Sequence, residues 1–184
     1  TTQEKMLSWM ERDLELANGN RANIPWIITM SHRPQYCSGG SDDCSKVQSI
    51  VRSAVERMFV RARVDICFAA HEHNYQRTFP VVNHTVRQTY NQTCQDDHGC
   101  TVPTVYRHPE APFHILSGAA GCNEGWSVCS NSIKKHAGPW SAFYMQRPGT
   151  YSYGRLTVNG TVARWDVVAA EQNRVIDRVI VIKK

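Results

Sequence analysis

The chain has 184 residues, of which 41% are hydrophobic and 20% charged, and carries a formal net charge of +5. One domain with a full core fits that length, and the composition is that of an ordinary globular protein. No apolar run reaches 18 residues, which argues against a membrane span. The modest basic excess, with Arg52, Arg57, Arg61 and Arg63 reading as a solvated face, argues against a nucleic-acid surface.

Thr1-Thr2 followed by Glu4 reads as a threonine-capped helix start. Met6, Leu7, Met10, Leu14 and Ala17 recur at helical spacing and predict a core-facing stripe, ended by Asn18-Gly19-Asn20. Residues 24–30 read as a buried strand running into Ser31-His32-Arg33-Pro34, where the proline holds Arg33 out of a helix. Residues 35–45 read as a polar loop. Residues 45–58 are helical, with Val47, Ile50, Val51, Ala54, Val55 and Met58 on the apolar side. Residues 64–69 form a second buried strand, followed by Ala70-His71-Glu72-His73-Asn74-Tyr75-Gln76-Arg77. Helix, strand, helix, strand is α/β order. Beyond Arg77 the pattern is loop-rich. A short strand at 113–118 enters the turn Ala119-Ala120-Gly121-Cys122, and residues 123–148 read mostly as loop. Residues 151–158 and 161–168 form a hairpin about Asn159-Gly160, and 175–182 is the last strand. No linker or repeat interrupts the chain, so residues 1–184 are expected to lie within one domain.

Two strands thus end in histidines. His71 and His73 follow one strand, and His32 follows another. In open α/β sheets ligands bind at such carboxyl ends. Neutral imidazole suits zinc, iron, copper or nickel. A lone His-x-His equally describes two surface histidines in a loop. The repetition of strand, histidine and turn favours a shared metal site, and metal-assisted hydrolysis is the chemistry it would serve.

Six of the seven cysteines fall in three close pairs within polar, glycine-rich segments: Cys37 and Cys44, Cys94 and Cys100, Cys122 and Cys129. They read as three local disulfides, with Cys67 free inside a strand, although spacing alone leaves the connectivity open. No Cys-x₂-Cys spacing supports a zinc thiolate site. Asn83-His84-Thr85, Asn91-Gln92-Thr93 and Asn159-Gly160-Thr161 fit the glycosylation acceptor pattern at Asn83, Asn91 and Asn159. Together with paired cysteines they predict a secreted, lysosomal or otherwise extracytoplasmic chain.

Three motifs carry a family resemblance. Ile28-Thr29-Met30-Ser31-His32-Arg33-Pro34, the segment from Ala70 to Arg77, and His114-Ile115-Leu116-Ser117-Gly118-Ala119-Ala120-Gly121-Cys122 resemble the carboxyl-terminal part of animal secreted purple acid phosphatases, within the calcineurin-like metallophosphoesterases. The ending Tyr153-Gly154-Arg155-Leu156-Thr157-Val158 followed by residues 161–166 matches as well. The resemblance implies the carboxyl-terminal portion of a four-layer α/β/β/α sandwich, completed by an amino-terminal portion beyond this chain. It implies a ferric ion beside a divalent iron, zinc or manganese ion, with His32 and His71 on the divalent ion and His73 on the ferric ion. Arg33, Asn74, Tyr75 and Arg77 are then expected to orient the histidines or rim the pocket. The implied reaction is phosphate monoester hydrolysis at acidic pH. The remaining ligands would come from the amino-terminal portion, as a separate or nicked chain, and a homodimer stays open. Two alternatives keep the fold: a phosphodiesterase or nucleotide hydrolase, and a non-enzymatic secreted glycoprotein with a relict site. The family's usual glycine before His71 is Ala70 here, so any left-handed backbone at that position would cost energy.

Overall fold

The computed structural model describes residues 1–89, 104–122, 133–145 and 150–183. Helix α1 (Thr2–Gly19) begins where its cap dictates. The Thr1 side chain accepts from the Glu4 backbone, and the Glu4 side chain accepts from the Thr1 amino group. The apolar stripe is only partly realised: Leu14 is buried, Leu7, Met10 and Ala17 are half-buried, and Met6 is exposed. The helix lies on the outside of the molecule, so the margin of its stripe meets water.

Strand β1 (Ile28–Met30) starts later than the apolar run suggests. The carbonyl of Pro25 is taken by the Arg21 and Lys183 side chains instead of a neighbouring strand. Residues 34–38 are buried although the segment reads as polar. A π-helical turn at Asp43–Val47 leads into helix α2 (Gln48–Arg61), and β2 (Ile66–Ala69) follows. Periodicity gives no sign of the next elements, β3 (Tyr75–Thr78) and a hairpin of β4 (Val81–Val82) and β5 (Thr85–Val86). It is equally silent on β6 (Thr104–Arg107), the short helix α3 (Ile133–His136) and β8 (Ser141–Tyr144). Strands β7 (Phe113–Ser117), β9 (Ser152–Val158), β10 (Val162–Ala169) and β11 (Arg174–Ile182) lie where alternation puts them.

Two sheets result. The first runs β1-β2-β7-β3-β8, and the second β6-β11-β10-β9. Strands β1, β2 and β7 are parallel, as α/β order requires, and β3 and β8 return antiparallel. Alternation along each strand sorts side chains to opposite faces. Ile66, Phe113 and Ile115 meet Trp165, Val167, Val179 and Val181 between the sheets. Cys67 points the other way, onto Leu14 and Phe59 of the helices. It is a free, buried thiol, and burial pushes its pKa up to about 12. Helices, first sheet and second sheet are therefore three layers of the expected sandwich. On the outer face of the second sheet Asp166 binds Arg164 and Arg178. Among the described residues no helix is long and apolar enough to cross a membrane.

Asp65 fixes the far end of this frame. It accepts from Arg21, from Lys183 and from the Ile27 backbone, tying the end of α1 and the end of β11 to β2.

Candidate metal centre

Parallel pairing of β1 with β2 continues past both strands. Ser31 donates to the Phe68 carbonyl and Ala70 to the His32 carbonyl, so the two histidine loops leave the sheet side by side. His32 Nε2 then stands 2.9 Å from His71 Nδ1, with the rings nearly perpendicular. Two nitrogens each about 2.1 Å from one ion, at right angles, stand about 3.0 Å apart. The pair therefore fits adjacent ligands of one ion, although His32 is otherwise exposed.

His71 adopts φ 59°, in the left-handed region, with Glu72 N–H donating back to the Ala70 carbonyl across it. The expectation of strain at Ala70 is thus corrected: the turn puts the unusual dihedral on His71. A non-glycine residue held there is costly and typical of functional loops. His73 is half-buried on the same loop. Gly118 donates to the Asn74 carbonyl, and a Cβ at Gly118 would stand 2.1 Å from the Glu72 carbonyl oxygen. Only glycine lets β7 end this close to the histidine loop.

Residues 37–44 close the other side. Cys37 and Cys44 are disulfide-bonded as expected. Within this clip Asp43 Oδ2 lies 2.9 Å from His71 Nε2, and Arg33 contacts the same carboxylate. Ser41 donates to Glu72 at 2.7 Å. Gln76 and the Ser38 backbone exchange two hydrogen bonds, and Gln76 also donates to Asn74. Three straps thus join the clip to the histidine loop. Asp43, Ser41 and Gln76 carry no periodic signal; the disulfide bracket next to His32 points at Asp43 and Ser41, and Gln76 lies in the motif from Ala70 to Arg77.

Two expected rim residues lie elsewhere. Tyr75 and Arg77 are completely buried between the sheets, because β3 turns alternate side chains inward. Arg77 makes a two-pronged ion pair with Asp177, and Tyr75 donates to the same carboxylate. Arg33 contacts Asp43, the carboxylate that meets His71, and Asn74 is buried. Asn83 and Asn159 are exposed. Cys122 is disulfide-bonded; Cys94, Cys100, Cys129 and Asn91 lie outside the described residues.

Residues 111–178 match the family model described as iron/zinc purple acid phosphatase-like protein C. Acid phosphatase type 7 of Mus musculus is 36% identical over 190 aligned residues, covering 98% of this chain and 39% of that protein. Purple acid phosphatase 22 of Arabidopsis thaliana is 30% identical, covering 85% of this chain and 29% of its own length. A purple acid phosphatase from yellow lupin seeds superposes with a TM-score of 0.72 over 96% of this chain and 28% of that structure, at 20% identity. The chain spans about two fifths of the length of the first of these relatives.

Proposed function

We propose that this chain, a member of the purple acid phosphatase family through its carboxyl-terminal region, supplies three ligands to a dinuclear metal centre that hydrolyses phosphate monoesters at acidic pH. His32 and His71 hold the divalent ion, and His73 the neighbouring ferric ion. The divalent ion is iron, zinc or manganese. The observation that carries this reading is the 2.9 Å approach of His32 Nε2 to His71 Nδ1 at the ends of paired parallel strands. Relatives named as acid phosphatases support the reaction class.

Three imidazoles are too few for two ions, so the remaining ligands come from an amino-terminal portion of the same protein, as a covalent, nicked or separate chain. Two sheet edges that are open among the described residues support its docking. β1 ends the first sheet and β9 ends the second. Between them lies a groove of about 340 Å³ lined by Met30, Phe68, Ala70, Tyr153 and Trp165, and Met30 is 83% exposed. When bound, the ions would neutralise phosphate oxygens and make water acidic enough to attack. The chain's own residues aim and hold: the left-handed turn at His71 presents its ring, and the clip keeps the two loops together. Arg33 is engaged by Asp43. It therefore does not widen the pocket as a diester site would need.

The Cys37–Cys44 bond supports an oxidising compartment, and the exposed Asn83 and Asn159 support secretion with glycans. The test uses protein extended to include the upstream portion and secreted from eukaryotic cells. It should contain two ions per chain, hydrolyse p-nitrophenyl phosphate best at acidic pH, and carry sugar at Asn83 and Asn159. His71→Ala should abolish turnover and remove one ion. Full activity and metal content in that variant would refute the assignment; unmodified asparagines would refute the compartment.

A further inference from the structure

We infer that Asp43 is a positioning residue for His71, and that together with Arg33 it locks the two ligand loops into one unit; this rests on the proposed reading of His71 as a metal ligand. A neutral imidazole carries one N–H, and its other nitrogen offers a lone pair. The Asp43 carboxylate lies 2.9 Å from His71 Nε2 and can only accept a hydrogen bond there. The proton is thereby held on Nε2, and the Nδ1 lone pair faces His32 Nε2. Carboxylates behind ligating histidines fix the tautomer and the ring in this way.

Asp43 is itself held from two sides. Oδ2 meets His71, and Oδ1 meets the guanidinium of Arg33, the residue directly after His32. A continuous chain of contacts therefore runs from the His32 loop through Arg33 and Asp43 to His71. Its charges cancel, so it aligns the rings without adding net charge to the centre. The backbone of Asp43 has little freedom. It opens the π-helical turn, a geometry often found at functional sites, and its neighbour Cys44 is fixed to Cys37. Ser41 and Glu72 add a parallel strap two residues away.

The experiment compares Asp43→Ala, Asp43→Asn, Asp43→Glu and His71→Ala in the protein carrying its upstream portion. The readouts are Zn²⁺ retention against a chelator, then kcat and KM with p-nitrophenyl phosphate. Asp43→Ala should weaken retention of one ion by about 10- to 100-fold, with kcat falling and KM nearly unchanged. Asp43→Asn keeps the shape and a neutral acceptor, so it should lose less, in the same direction. Asp43→Glu should recover part of the loss of the alanine variant. Should the alanine variant fail to fold, the near-isosteric asparagine variant decides. Unaltered retention in Asp43→Asn and in any folded alanine variant, while His71→Ala strips the ion, overturns the positioning role alone. Unaltered retention in His71→Ala overturns the metal assignment beneath it.

Discussion

Single residues divide into those whose chemistry shows in the chain and those whose chemistry depends on what covers them. His32 and His71 are legible because each follows an apolar strand. Tyr75 and Arg77 mislead, because a polar Tyr-Gln-Arg-Thr run after a histidine motif looks like a rim; burial of Asp177 opposite them is a long-range fact. His114 is the sharpest case. It lies in β7, buried against the Tyr36 ring, and its Nε2 meets no hydrogen-bond partner among the described residues. Burial, and next the Arg52 charge, push its pKa from 6.5 down to about 3. The folded chain therefore keeps this ring neutral while the unfolded chain takes up a proton below about pH 6.5. The unfolded state binds more protons in that window. Stability contributed by the neutral ring is complete above it and is lost as pH falls, by up to about 1.4 kcal/mol per pH unit. His114→Phe should flatten the fall in melting temperature between about pH 6.5 and pH 4 in the protein with its upstream portion. Equal slopes for both proteins in thermal melts would show that His114 does not govern acid stability.

Among the elements, those with a clear period were readable. The helices, β2, β7 and the β9–β10 hairpin follow from spacing and from Asn159-Gly160. Strand β3 did not, since both of its faces are buried and most partners of its polar residues are distant. Residues 35–45 read as a polar loop, yet Cys37, Ser38 and Cys44 are buried, and polar groups of the loop find Gln76, Gln48 and Glu72. Closeness of these elements makes a prediction at Gly118. Replacing it with alanine puts a methyl group 2.1 Å from the Glu72 carbonyl, a backbone atom that cannot rotate away. The histidine loop must shift, at a cost of about 1–3 kcal/mol. Gly118→Ala should lower both melting temperature and bound metal; a variant equal to the parent in both would mean the loop is not seated against β7.

At the scale of the whole molecule, the candidate ligand histidines are countable from sequence, and the sheet edges are not. Edge strands expose unpaired backbone groups that invite pairing. Here β1 and β9 border one groove, with Met30, Tyr153 and Val158 exposed. Residues 1–184 produced alone should self-associate and retain little metal. Produced together with the upstream portion, they should be monodisperse and loaded. Size-exclusion chromatography with metal analysis checks both statements, and a well-behaved isolated chain holding two ions would contradict them.

The Arg77–Asp177 pair bears on how the two sheets find each other. Ile176, Val179 and Val181 alone could slide along the first sheet with little apolar penalty. The guanidinium removes that freedom. It bonds Asp177 twice and also donates to Tyr106 and Thr104, with Tyr75 completing the carboxylate. A slipped arrangement strands one charge in the interior, at about 3–5 kcal/mol for a broken buried pair. The pair thus fixes the register between the two sheets in the folded chain. It disfavours near-miss dockings of the sheets that hydrophobic burial would accept, and so fixes β3, the strand that directly follows the loop bearing His71 and His73.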